Sequence, residues 1–217
     1  MSFQTIIDNA TFLTINKRKT TAMSVSRSGH VKTAEREPSV YSFTVGTHEG
    51  LTYSTNRAVL EDIDSNDRTV ESNVSLTNNT SMNYITEYQG DVADAQLNNI
   101  VMVGSDGKEL YINCSGATGS GTLFKKGDFV QPAGNTNIYR YPYQVTSDVT
   151  FSTGANVTVP VHRPVLSQSG QVITSGGLRT GTEVRFHVKA MTCPTYSVIP
   201  HDRIAFDGNF EFVEIIT

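Results

Sequence analysis

Apolar and polar residues alternate along most of this chain, with the period of two that marks strands buried on one face. The alternation is clearest in four stretches, Thr11–Ile15, Ala22–Ser26, Ser39–Val45 and Glu183–Val188. Asp-Gly pairs stand between apolar runs at Asp106-Gly107 and Asp207-Gly208, and such pairs favour tight hairpins because both residues tolerate a positive φ. Pro142 and Pro160 interrupt two further runs, so those strands should end there or lie at a sheet edge. The sequence therefore predicts a mainly β fold of many short strands.

One segment has the periodicity of a helix. Ala58, Val59, Leu60 and Ile63 form an apolar stripe through residues 56–64, and either Ser54 or Thr55 can cap the start of this helix. Its length of about two turns predicts a helix that covers one face or one end of a sheet.

Two polar segments are too long for tight turns. Arg27–Pro38 lies between two alternating runs and predicts a long hairpin or a strand–loop–strand unit, whereas Ser167–Thr182 is rich in Ser and Gly and predicts a mobile surface loop. We interpret both as assembly segments that become ordered against neighbouring subunits, with plain disordered loops as the alternative.

A polar break at Asn78–Asn83 divides the predicted strands into two groups. We expect a first β-barrel or sandwich domain over residues 1–83, carrying the short helix at 56–64, and a second β domain over residues 84–200. A C-terminal hairpin over residues 201–217 should return to the first domain, because terminal strands need a sheet to hold them.

Composition and charge narrow the classes of function. Hydrophobic residues make up 37% and charged residues 18% of the 217 positions, and the abundant Thr, Ser and Asn suit half-exposed strands and turns. A net charge of -4 argues against a protein that grips nucleic acid by its phosphates. No apolar run has a membrane-span or secretory pattern, so we expect neither. Without export, the two cysteines, Cys114 and Cys193, are expected to be reduced and buried, with a disulfide between them as the alternative.

The residues present argue against three kinds of catalytic site. Gly116–Thr122 has the glycine spacing of a phosphate-binding loop but lacks its lysine, and no Gly-x-Ser-x-Gly motif is present. His162 and His201-Asp202 lack metal-ligand spacing, and the acidic run 61–67 lacks the Gly and closing Glu of a calcium loop. His187, on the polar phase of its strand, should face solvent or a partner. The sequence predicts a protein that is not an enzyme, with no cofactor and no bound metal.

Several stretches resemble tail-tip structural proteins of tailed bacteriophages. Ser24–Arg36, followed by the Tyr41–Val45 strand and the short helix, is similar to their N-terminal domain. The second domain of these proteins is similar to Leu123–Gln131, Tyr141–Thr146 and Val159–Leu166, and their final strand pair is similar to Ile204–Glu214. The resemblance is scattered over most of the chain.

The resemblance implies a distal-tail-like or baseplate component with a β-barrel related to the tail tube, and it carries no catalytic residue. It implies a homo-oligomeric ring, with a hexamer favoured, between tail tube and hub, whose partners are the tube, the hub and neighbouring baseplate subunits. We expect such a protein to be made in the host cytoplasm, to reside in the virion tail and to let DNA pass without specific binding. The candidate assembly contacts are Arg27, His30, Lys32, Arg36, Tyr139, Tyr141, Tyr143 and Arg163.

The alternative function is a host-recognition module that binds surface carbohydrate. Tyr139, Tyr141 and Tyr143 alternate on one strand face and could stack against sugars, although the chain has no Trp. A tail-associated hydrolase is a third possibility.

Overall fold

The structure is a computed structural model that describes residues 3–17, 20–36, 39–47, 51–65, 71–76, 82–133, 141–166 and 176–216. Strands account for 50% and helices for 14% of it, which confirms the predicted mainly β class with a short helix. Within the described ranges the sheets stay open, and none closes into a barrel. The described helices also fall short of the length and apolar character that crossing a lipid bilayer requires.

The helices are α1 (Gln4–Asp8), α2 (Tyr53–Ser65) and α3 (Asp94–Leu97). The strands of the first third of the chain are β1 (Ala10–Asn16), β2 (Thr20–Val25), β3 (Val31–Arg36), β4 (Ser42–Thr47), β5 (Leu51–Thr52) and β6 (Glu71–Val74). The middle strands are β7 (Val101–Asp106), β8 (Glu109–Asn113), β9 (Ser120–Phe124), β10 (Phe129–Pro132), β11 (Tyr143–Gln144), β12 (Val149–Ser152) and β13 (Asn156–Pro160). The last strands are β14 (Gly176–Thr180), β15 (Phe186–Thr192), β16 (Thr195–Ile199), β17 (Arg203–Asp207) and β18 (Phe210–Glu214).

The chain forms two compact units, each made of separate segments. Unit 1 comprises Asn9–Ser72 and Val188–Ile216, and unit 2 comprises Ser2–Asp8 and Asn73–His187. The predicted boundaries, 83 and 200, lie on the C-terminal side of the two divisions, which fall within β6 and β15. A polar break in the sequence marked neither division, because both occur inside paired strands.

The core of unit 1 lies on a five-stranded sheet in the order β1-β4-β18-β15-β6. Phe43 and Val45 of β4 are paired in register with Phe212 and Phe210 of β18, and all four side chains are buried. Full burial of one such side chain contributes about 1.5–3 kcal/mol. The alternation that predicted these strands therefore marks the face that holds the sheet to its core.

Helix α2 begins at Tyr53, so Ser54 and Thr55 lie inside its first turn and the predicted cap is wrong. Asp202, in the loop between β16 and β17, satisfies the start of this helix instead. The backbone N–H of Tyr53 donates to the Asp202 carbonyl (3.1 Å), and that of Ser54 donates to Asp202 Oδ1 (2.8 Å). The Ser54 hydroxyl donates to Asp202 Oδ2. A residue distant in sequence thus supplies acceptors that a helix start lacks.

The predicted C-terminal hairpin over residues 201–217 is wrong in its pairing. β17 pairs with β16 and β5, whereas β18 pairs with β15 and β4 in the five-stranded sheet. Gly208, with a φ of 118°, lies in the link between them. The Asp-Gly pair therefore turns the chain from one sheet into another, although both strands do lie in unit 1.

Unit 2 contains a six-stranded sheet in the order β11-β10-β14-β7-β8-β13, together with the pair β12-β9. The predicted hairpin at residues 105–108 is confirmed as β7–β8, with Asp106 opposite Glu109 and a φ of 51° at Gly107. Both predictions for proline are also confirmed, since Pro160 ends the edge strand β13 and Pro142 directly precedes the edge strand β11.

The predicted loop Ser167–Thr182 is wrong in its second part, and residues 167–175 lie outside the described residues. β14 lies inside the six-stranded sheet, where it pairs with β10 on one side and β7 on the other. Leu178 is its buried apolar side chain. Pairing with strands far away in sequence thus overrides a local composition that disfavours strands.

Candidate functional site

Residues 27–36 of the predicted assembly segment belong to a β-hairpin, here called the arm, formed by β2, β3 and the turn between them (residues 20–36). Residues 37 and 38 lie outside the described residues. Six residue pairs join the strands, from Thr20 opposite Arg36 to Val25 opposite Val31. The Ser26 N–H donates to the His30 carbonyl (2.9 Å), and Gly29 has a φ of 80° in the turn. The alternating runs Ala22–Ser26 and Ser39–Val45 do not pair as the long-hairpin alternative requires, because β4 pairs with β1 and β18 instead.

The arm has no core on either face. Each residue from Ala22 to Ala34 is exposed, and neither strand pairs with a third strand among the described residues. Apolar side chains nevertheless gather on one face, because Val25 is opposite Val31 and Met23 is two residues from Val25. These three side chains are 63%, 56% and 68% exposed. A two-stranded hairpin without a covered face is marginally stable alone, so this geometry favours pairing with a partner.

The sequence segment 17–36, which contains the arm, has a strongly positive net charge. Residues 17–36 hold six of the 17 Lys and Arg and one of the 21 Asp and Glu, a net charge of +5. Since the whole chain carries -4, the remaining residues carry -9. A basic segment in an otherwise acidic chain is electrostatically complementary to acidic surfaces.

Four of the predicted contacts lie on the arm. Arg27 and His30 are exposed in its turn, Lys32 is exposed in β3, and Arg36 is the last residue of β3. Lys32 lies opposite Ser24, on the face away from the apolar side chains. The arm therefore has one apolar face and one face that carries a positive charge.

Three other predicted contacts are buried in unit 2, and the fourth, Tyr139, lies outside the described residues. Arg163 is 1% exposed, with its guanidinium 5.8 Å from the Tyr141 ring centre and 5.4 Å from that of Tyr143. Its Nη2 donates to the Pro142 carbonyl (2.9 Å). As folded, Tyr141, Tyr143 and Arg163 offer neither a face for stacking sugars nor a surface for a neighbouring subunit.

The histidine predicted to face outward does not do so. His187 is 2% exposed, and its Nδ1 lies 3.2 Å from Asn73 Oδ1. The prediction fails because Phe186 and Val188 on either side of it are buried too, so this part of β15 is covered on both faces. Within the described ranges, no three His, Cys, Asp or Glu side chains come together as a metal site would need.

Neither Cys114 nor Cys193 takes part in a disulfide in the structure. Burial raises the pKa of the Cys114 thiol, which keeps it protonated and a poor nucleophile at neutral pH. The glycine-rich segment 116–122 leads into strand β9, where a phosphate-binding loop would lead into a helix.

An acidic cavity of about 320 Å³ lies in unit 2, with Glu87, Asp94 and Glu183 among its lining residues. Tyr88 lines it as well, and burial raises the pKa of this phenol to about 12. Its hydroxyl donates to the Leu123 carbonyl and accepts from the Val92 N–H (3.4 Å). A phenol held in this way braces a loop and is not available as a base near neutral pH.

The sequence matches no protein-family model and no curated protein.

Proposed function

We propose that this chain is a structural subunit that assembles with copies of itself through the arm. The observation that carries the proposal is an exposed, two-stranded hairpin with three large apolar side chains on one face. Burying that face and the free strand edges against a second copy removes apolar surface from water and satisfies backbone groups. A contact between the arm of one copy and a different surface of the next is heterologous, and such a contact closes into a ring when the rotation between copies divides a full turn.

Within that role, we propose a ring-forming subunit of a bacteriophage tail tip or baseplate, located in the virion between tail tube and hub. The mainly β fold with a short helix supports this, together with the similarity of Leu123–Gln131, Tyr141–Thr146 and Val159–Leu166 to tail-tip proteins. The charge of -9 outside residues 17–36 suits a ring whose lumen passes DNA by like-charge repulsion. A ring whose lumen is lined by basic side chains would contradict this last point.

The test is the mass of the purified full chain by light scattering, together with negative-stain images. Val25→Asp combined with Val31→Asp places two carboxylates on the apolar face of the arm. Ser24→Asp combined with Ala34→Asp is the matched control, because it adds the same charge to the opposite face. We expect rings from the wild type and the control and monomers from the apolar-face variant.

Rings of equal size from all three proteins would show that the apolar face is not the contact. A monomer in every case would contradict self-assembly through the arm, and a monomer that binds cell-surface glycans would favour the carbohydrate-binding alternative.

A further inference from the structure

A second cavity of unit 2, about 640 Å³ in volume, has a different character from the acidic one. Two of its lining residues are arginines, Arg179 and Arg185, and the single carboxylate among the described lining residues is the exposed Glu183. Neither guanidinium makes a hydrogen bond or an ion pair with another described residue. In a chain of net charge -4, the described lining of this cavity carries two positive charges against one negative.

One residue, Gln131, contacts the backbone of both arginines. Gln131, which is 2% exposed, donates from Nε2 to the Arg185 carbonyl (2.7 Å) and accepts from the Arg185 N–H at Oε1 (2.9 Å). Gln131 is also the residue of β10 that pairs with Arg179 of β14. The amide therefore acts like a strand neighbour for Arg185, and it fixes that backbone beside the strand that carries Arg179.

The opposite wall is built in the same way. Gln4 Nε2 donates to the Ser75 carbonyl (3.0 Å), and the Ser75 N–H donates back to Gln4 Oε1 (2.8 Å). The Ser75 hydroxyl donates to the Thr182 carbonyl (3.4 Å). These contacts hold the segments that carry Asn73 and Thr182 at the cavity, so its donors stand on fixed backbone.

The contact of Asn73 Oδ1 with His187 leaves the Nδ2 group of Asn73 as a further donor, and the Thr182 hydroxyl is another. A planar guanidinium presents paired N–H groups that match the oxygens of a carboxylate or a phosphate. We propose that this cavity binds an oxyanion, as the phosphate or carboxylate group of a ligand, between Arg179 and Arg185. This inference is independent of the arm and of self-assembly.

The experiment is calorimetric titration of the full chain with inorganic phosphate and, separately, with succinate, at constant ionic strength. Sodium chloride is the non-specific control. Arg179→Gln and Arg185→Gln each remove one cation and keep a polar side chain, and Arg57→Gln on the exposed face of α2 is the matched control. Loss of one charge-assisted contact should weaken binding by about tenfold, whereas Arg57→Gln should leave the affinity unchanged.

Saturable binding of phosphate alone identifies a phosphate ligand, and binding of succinate alone identifies a carboxylate. Either result supports the proposal if both cavity variants weaken it. Heat that matches the chloride control for both anions would overturn it, and so would an affinity that survives in the Arg179→Gln, Arg185→Gln double variant. Unfolding midpoints measured without anion separate a lost site from a lost fold.

Discussion

Asp202 combines an unfavourable backbone with a favourable set of contacts. Its φ is 60° and that of His201 is 70°, a region that residues other than Gly seldom adopt, although Asp is among those that tolerate it. Hydrogen bonds from the hydroxyl and the backbone N–H of Ser54 hold the pKa of the Asp202 carboxyl below its ordinary value. The strained turn is offset by the helix start that it stabilises, which lies 148 residues earlier in the chain.

Asp202→Gly should lower the free energy of unfolding of unit 1, because Gly accepts the positive φ but has no carboxylate for Ser54. Asp202→Asn keeps one acceptor oxygen and should lie between the two. Because the pKa of Asp202 is lower in the folded chain than in the unfolded one, the charge stabilises above the ordinary value of 3.8 and ceases to do so as pH falls through the lowered value. Urea unfolding at several pH values should show the wild-type and Asn curves converging in acid, and a constant gap would contradict this.

Arg163 is a charged side chain that is buried against two tyrosine rings. Arg163→Ala should lower the free energy of unfolding of unit 2 by about 3 kcal/mol or more, because it removes the cation–π contacts and leaves a void. Arg57→Ala, on an exposed helix face, should change it by less than about 0.5 kcal/mol. Equal effects in denaturant titrations would mean that the buried guanidinium contributes no special stability.

Among the elements, β4 and β18 are predicted well from sequence because each has one buried face. Phe43 and Val45, or Phe210 and Phe212, alternate because each pair faces a core. β3 shows no such pattern because both of its faces are exposed, and β14 shows none because its stability comes from pairing with β10 and β7. β3 was therefore located only as part of a polar segment, whereas the alternation of Ala22–Ser26 did predict the strand β2.

Part of the candidate sites could not be predicted from sequence, because it depends on contacts between residues distant in the chain. Tyr141, Tyr143 and Arg163 have residue types typical of surfaces, and only the tertiary structure shows that they pack on one another. Arg179 pairs with Gln131 across two strands and the Gln131 side chain bonds to the Arg185 backbone, and no local spacing encodes either contact. What sequence could show was the polar segment in which Arg27, His30 and Lys32 lie.

Hydrogen exchange should distinguish the arm from the sheets. Amide protons of β2 and β3 should exchange rapidly in the isolated chain, because a hairpin without a covered face opens easily, whereas those of β4 and β18 should be protected. In assembled rings the arm should gain protection. Slow exchange of the arm in a chain shown to be monomeric would mean that it is stabilised without a partner.

Over its whole length the chain forms two compact units, and each unit is built from separate segments. Unit 2 is contiguous from Asn73 to His187 apart from Ser2–Asp8, whereas unit 1 needs Asn9–Ser72 and Val188–Ile216 together. Separate cores follow from this organisation, with Phe212 buried in the first and Phe124 in the second. Each core can therefore be weakened by itself.

Phe212→Ala should destabilise unit 1 by about 3–5 kcal/mol and leave the exchange rates of unit 2 nearly unchanged. Phe124→Ala should do the reverse. Hydrogen exchange resolved along the chain measures both effects in one experiment. If either substitution accelerated exchange equally in both units, the chain would unfold as a single cooperative block.

The position of β18 in the sheet determines when the five-stranded sheet can be completed during synthesis. This strand lies between β4 and β15 in the sheet, yet it follows both along the chain. At a ribosomal rate of about 5–20 residues per second, β18 is synthesised roughly 10–30 s after β4. Unit 2 has all of its segments once His187 has been made. The part of the chain that is translated first is thus completed last, and its apolar strand lacks the β18 partner during that interval.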